Sequence, residues 1–128
     1  MSFLFDTHLL LWAAASPDRL PELARDILAN PTLQVAFSPS SIWEVAIKTS
    51  LGRPDFQVDA KRLHRGLLAA GYRDIGITSA HTAAVADLPP VHKDPFDRLL
   101  VAQAKLEGLT LITSDPLVAR YPGDIRLA

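Results

Sequence analysis

The feature that most restricts what this chain can fold into is a rhythm. Short apolar runs, Phe3 to Phe5, Leu33 to Phe37, Ile75 to Ile77 and Leu109 to Ile112, alternate with longer stretches whose apolar residues recur at helical spacing. Brief apolar runs of this kind fit strands buried on both faces, and helices between them supply the crossovers a parallel sheet needs. The rhythm predicts an α/β chain in three layers, a central parallel sheet flanked by helices. Helices are expected over Thr7 to Ala14, Pro21 to Leu28, Ser41 to Leu51, Asp59 to Ala70, Ser79 to Ala86 and Pro95 to Glu107, with Gly52, Gly71 and Gly108 where helices stop. A last strand is expected at Ile125 to Ala128, and "LPPVHKDP", Leu88 to Pro95, as an ordered loop.

Composition narrows the rest. The 128 residues, 48% of them hydrophobic, can bury one core, so a single domain over residues 1–128 is expected. A net charge of -1 gives no overall basic footprint, so any polyanion must be met by a local patch or by a recruited cation. The chain has no cysteine, which removes thiol nucleophiles and cysteine-bearing zinc sites and fits a reducing cytoplasm. The apolar start "MSFLFDTHLLLWAAAS" lacks a preceding Lys or Arg and is interrupted by Asp6 and His8, against a secretory signal. Nothing approaches the length of a membrane span.

Four acidic residues fall near helix N-termini: Asp6 after the first strand, Glu44 early in the helix after the second, Asp97 in the first turn from Pro95, and Asp115 after "LTLIT". In an open α/β sheet those positions face one edge, where ligands bind. Taken singly, each has a plain structural use. Asp94 before Pro95 fits an N-cap, with Asp97 completing a capping box; Asp115 precedes Pro116; Ser41 with Glu44 forms another box, and Glu44 with Lys48 an i, i+4 pair. Together they differ from caps in being acidic every time, where serine or asparagine would cap as well. Two carboxylates 4 Å apart repel by about 1 kcal/mol in water and about 4 kcal/mol at an effective dielectric near 20. A divalent cation reverses that sign, and an all-oxygen donor set suits magnesium or manganese. On this reading Asp94 caps and Asp97 binds metal.

These residues carry a resemblance to the PIN-domain ribonucleases, specifically the VapC-type toxins of bacterial toxin-antitoxin pairs. It runs through "FLFDTHLLLW", "SPSSIWEVAIKTSLGR", "HKDPFDRLLVAQA" and "LTLITSD", in order, over essentially the whole chain. The resemblance implies a PIN-like fold, a magnesium or manganese site on Asp6, Glu44, Asp97 and Asp115, and Thr113 as a hydroxyl that helps hold the last carboxylate. It further implies metal-dependent hydrolysis of RNA by those residues, a homodimer, and a cognate antitoxin with a segment in or near the acidic groove. Asp94 takes a supporting place beside the quartet. Lys48, Arg53, Lys61, Arg62 and Arg65 are candidates to guide an RNA backbone or an ordinary solvated face. Arg98 is a candidate for phosphate or for a neighbouring carboxylate, and His92 is notable for proximity. Trp12 and Trp43 are expected in the core or at a dimer contact. The competing readings are a phosphoacceptor receiver domain, which would want paired acids after the first strand and a lysine where "TSDP" stands, and a non-enzymatic interaction module whose acids only cap helices.

Overall fold

The protein, described over residues 1–128 by a computed structural model, is a five-stranded parallel sheet between helical layers. The strands are β1 (Ser2–Phe5), β2 (Gln34–Phe37), β3 (Arg73–Asp74), β4 (Thr110–Thr113) and β5 (Ile125–Leu127). The helices are α1 (Thr7–Ala15), α2 (Glu22–Ala29), α3 (Pro39–Ser50), α4 (Ala60–Ala69), α5 (Ser79–Ala84) and α6 (Pro95–Glu107). Side chains alternate across the sheet because successive residues of a strand point to opposite faces. Phe3, Phe5, Val35 and Phe37 therefore join one core with Leu9 and Leu10 of α1, Ala24 and Ile27 of α2 and Leu63 and Leu67 of α4. Leu4, Ala36 and Leu111 join a second core with Leu100, Val101 and Ala104 of α6. Phe5 and Leu4 are completely buried, each contributing about 1.5–3 kcal/mol by leaving water.

The strand order is β3-β2-β1-β4-β5. From β1 the chain builds outward through β2 to β3, then returns through α5 and α6 to place β4 on the other side of β1. The crevice where the order reverses lies between β1 and β4, the place where open α/β sheets bind ligands. This order also differs from the 2-1-3-4-5 order of receiver-type sheets, which removes the receiver reading.

Local structure departs from the sequence expectations at three places. Ile75 to Ile77 is not a strand: pairing ends with the two exposed residues Arg73 and Asp74, after which only the Ile75 N–H still donates to the Phe37 carbonyl. Ser38, not Ser41, caps α3, accepting from the Ser40 N–H at 3.0 Å, and Ser41 is left to meet Thr7. The helix at Ser79 closes at Ala84 in a short 3-10 turn over Val85–Asp87. Helix α6 follows the sequence closely. Asp94 caps it, accepting from the Phe96 and Asp97 N–H groups, and Gly108 ends it at φ +66°, a left-handed position glycine occupies without strain.

Candidate metal centre

Asp6 sits at the end of β1 and caps α1, accepting from the Leu9 N–H at 3.0 Å. The register that pairs Phe5 with Ile112 sets Asp6 beside Thr113. Its second oxygen consequently accepts from the Thr113 hydroxyl and the Ser114 N–H, each at 2.8 Å. Burial pushes the Asp6 carboxyl above its ordinary range, and these donors pull against it. Thr113 therefore holds the first carboxylate of the quartet. It reaches the last only through the backbone, its oxygen accepting from the Asp115 N–H at 3.0 Å.

Glu44, on α3, is buried as well, so its i, i+4 pair with Lys48 is an enclosed one. One Glu44 oxygen accepts from the Thr7 hydroxyl at 2.6 Å and the other from the Lys48 ammonium at 2.6 Å. The same ammonium is 3.9 Å from Asp94 and 5.8 Å from the centre of the Phe96 ring. Asp115 accepts from the Leu117 N–H at 2.9 Å with one oxygen. Its other oxygen is 3.2 Å from His92 Nε2.

Asp97 is the exception. It projects from the first turn of α6 and accepts nothing from the backbone; its capping-box role is absent, since only Asp94 serves that helix start. The nearest polar partner is His92 Nε2, 3.1 Å from Oδ2. Burial first, then the charges of Asp94, Glu44, Asp6 and Asp115, push its carboxyl up to about 8. Asp94 shares its helix start, and the other three acids come from elsewhere: Glu44 from α3, Asp6 from the end of β1 and Asp115 from beyond β4. The sheet edge thus gathers five carboxylates around one ammonium, Lys48, and one imidazole. One ligand atom each of His92, Asp94 and Asp97 falls within 4.8 Å of the others, a grouping that shares only Asp97 with the predicted quartet. The remaining three acids surround it. Such a set, rich in oxygen and short of positive charge, fits a hard divalent cation.

Other side chains singled out in the sequence take definite places. Arg98 pairs with no carboxylate: its guanidinium donates to the carbonyls of Val85, Leu88, Pro89 and His92 and to the Tyr121 hydroxyl. It staples the loop before α6 and orders it. Trp43 is 60% exposed, so it is no core residue; its ring meets Phe96 edge-on at 5.2 Å. Trp12 is half-buried against the first core with Arg19 over its ring. Sequence reasoning passed over Ser114, whose N–H grips Asp6, because a backbone donor leaves no mark in residue type. A cavity of about 540 Å³ lies between α1, α2 and α4, lined largely by apolar side chains such as Leu28, Leu63 and Leu67 and by none of the quartet.

Comparison with known proteins agrees with this geometry in family and fold. The PIN domain profile matches residues 3–124. The chain is 30% identical over 113 residues to Ribonuclease VapC22 of Mycobacterium tuberculosis (strain ATCC 25618 / H37Rv), covering 88% of this chain and 85% of that protein. Among solved structures it resembles VapBC2 from Rickettsia felis bound to a DNA fragment from their promoter, with a TM-score of 0.70 and 17% identity over 100% of this chain and 98% of that one. It also resembles a toxin-antitoxin complex from Klebsiella pneumoniae, with a TM-score of 0.63 and 20% identity over 96% and 94%. At these identities the two structural likenesses are likenesses of fold.

Proposed function

The chain belongs to the PIN-domain family, and from that premise we propose that it is a VapC-type endoribonuclease, hydrolysing RNA phosphodiester bonds with magnesium or manganese as the toxin of a bacterial toxin-antitoxin pair. The observation that carries this reading is Asp97, a half-buried carboxyl facing four others at the crevice between β1 and β4. No purely structural use explains that charge, because Asp94 already caps the helix.

Asp6, Glu44, Asp97 and Asp115 are the proposed metal-binding and catalytic residues. These residues would hold a divalent ion, which when bound would supply a water of lowered pKa and offset charge on the scissile phosphate. The protein's part is to fix the oxygens beforehand. Leu9, Thr113 and Ser114 orient Asp6, Thr7 and Lys48 orient Glu44, and Leu117 orients Asp115. Each carboxylate has lone pairs left after these bonds, since two oxygens accept up to about four. Asp94 supports the site by placing the first turn of α6. The exposed bases Lys61, Arg62 and Arg65 on α4 are available to an RNA backbone.

The same reading makes the chain one PIN domain over residues 1–128, cytoplasmic, homodimeric and neutralised by a cognate antitoxin. No helix is long and apolar enough to cross a membrane. The decisive assay incubates purified protein with RNA under chelator, magnesium and manganese. Cleavage restored by either ion and absent in Asp97→Asn supports the proposal; metal-independent cleavage, or full activity in the variant, overturns it. Growth arrest on expression alone, relieved by co-expressing the neighbouring small gene, tests the toxin role.

A further inference from the structure

His92 enters the pocket without a task in that account. We propose that it is a positioning residue, whose Nε2–H spans Asp97 and Asp115 and sets their spacing for the cation, and that it is not itself a ligand. The inference rests on the metal reading above and concerns a residue outside the quartet.

The tautomer is the first step. The Lys93 N–H donates to His92 Nδ1 at 3.0 Å, so Nδ1 offers its lone pair and the proton of a neutral ring sits on Nε2. A protonated nitrogen has no lone pair for a metal, although His92 belongs to a cluster compact enough to look like a ligand set. The second step is placement. Nε2 lies 3.1 Å from Asp97 Oδ2 and 3.2 Å from Asp115 Oδ2, between a side chain of α6 and one following β4. Those elements meet the pocket from different directions, and no other neutral or basic group contacts both carboxylates. The third step is rigidity. The His92 N–H donates to the Tyr121 hydroxyl at 2.9 Å, that hydroxyl donates back to the His92 carbonyl at 3.1 Å, and Arg98 holds the same loop at several carbonyls. A ring anchored at both backbone atoms and at Nδ1 has a fixed Nε2. The Oδ1 of Asp97, which accepts no hydrogen bond, stays open to a cation while Oδ2 faces the ring.

Groups that orient metal ligands command about 10–100-fold in affinity. Calorimetric titration of the chelator-stripped protein with Mg²⁺ and with Ni²⁺ separates the roles, because imidazole favours nickel and carboxylate favours magnesium. His92→Ala is expected to weaken both ions by a similar factor, about tenfold or more, and His92→Gln, which keeps an N–H donor at comparable reach, to recover most of it. Nickel affinity falling far more than magnesium affinity would assign His92 as a ligand and overturn the proposal, as would unchanged or tighter magnesium binding in His92→Ala. A wild type that takes up neither ion defeats the metal reading as well; a wild type that binds while His92→Ala binds equally defeats this inference alone. Long-range ¹H–¹⁵N spectra of the metal-free protein, with His92→Gln for assignment, provide a readout independent of any ion. The neutral ring is expected to carry its proton on Nε2, and the tautomer with the proton on Nδ1 would refute the arrangement.

Discussion

Asp6 and Asp97 are the same side chain in the same pocket, yet the fold treats them oppositely. Asp6, at the end of β1, receives a helix-capping N–H, a second backbone N–H and a hydroxyl. Asp97, at the start of α6, receives no backbone donor and faces the charge of four other acids. The strand-end acid is built into the architecture, and the helix-start acid is held against it. Two carboxylates that residue type alone makes equal are thus held in unequal surroundings, one satisfied by donors and one opposed by charge, and the difference can be attacked experimentally.

The largest expected effect is on catalysis, where both positions count. Asp97→Asn and Asp6→Asn should each lower RNA cleavage by more than about a hundredfold, beyond what loss of a ligand's supporting partner costs. Single-turnover cleavage measures it, and retained activity at either position would strike that residue from the site. Stability without metal should then separate the two. With its carboxyl at about 8 in the folded chain against 3.8 ordinarily, Asp97 keeps a proton that the unfolded chain releases. Metal-free stability should therefore fall as pH rises from about 4 to about 8 and level off above. Asp97→Asn should flatten that decline and gain on the order of a few kcal/mol at pH 8.5, at about 1.4 kcal/mol per pKa unit. The same change at Asp6 should gain less, because the amide turns N–H groups toward donors that the carboxylate satisfied. Thermal melts across pH read both, and equal gains would erase the contrast.

Magnesium at about 100 times its dissociation constant should stabilise the wild type by about 2.7 kcal/mol and leave Asp97→Asn nearly unmoved. An identical shift in both proteins would mean that the ion binds elsewhere. The smallest effect sharpens the Asp6 side: Thr113→Val, which removes a buried hydroxyl from Asp6 and from the Asp115 N–H, should cost about 1–3 kcal/mol in denaturant unfolding. A neutral result would show that Ser114 suffices.

Sequence periodicity carried the sheet well where strands are buried on both faces, as in "FLF" and "TLIT", because packing there follows apolar content directly. It failed at Ile75 to Ile77, where the apolar residues lie beyond a two-residue edge pairing whose own residues are exposed and charged. The acids were legible because helix N-termini and strand ends share an edge. The division of labour among them was not. It depends on Arg98 reaching back to Val85 and on Tyr121 reaching across to His92, contacts made by chain reversals that no local spacing encodes. Of the two places expected for Trp43, core or dimer contact, its exposure removes the first: the ring stands at the rim beside Phe96, outside either core.

The pairing of β1 with β4 joins Asp6 to Thr113 and Ser114 across 107 and 108 positions of chain. During synthesis, everything up to α6 can leave the ribosome while Asp6 still lacks the strand that orients it. On the reading proposed above, a pocket completed this late would leave the growing chain without its finished site until β4 has emerged and docked.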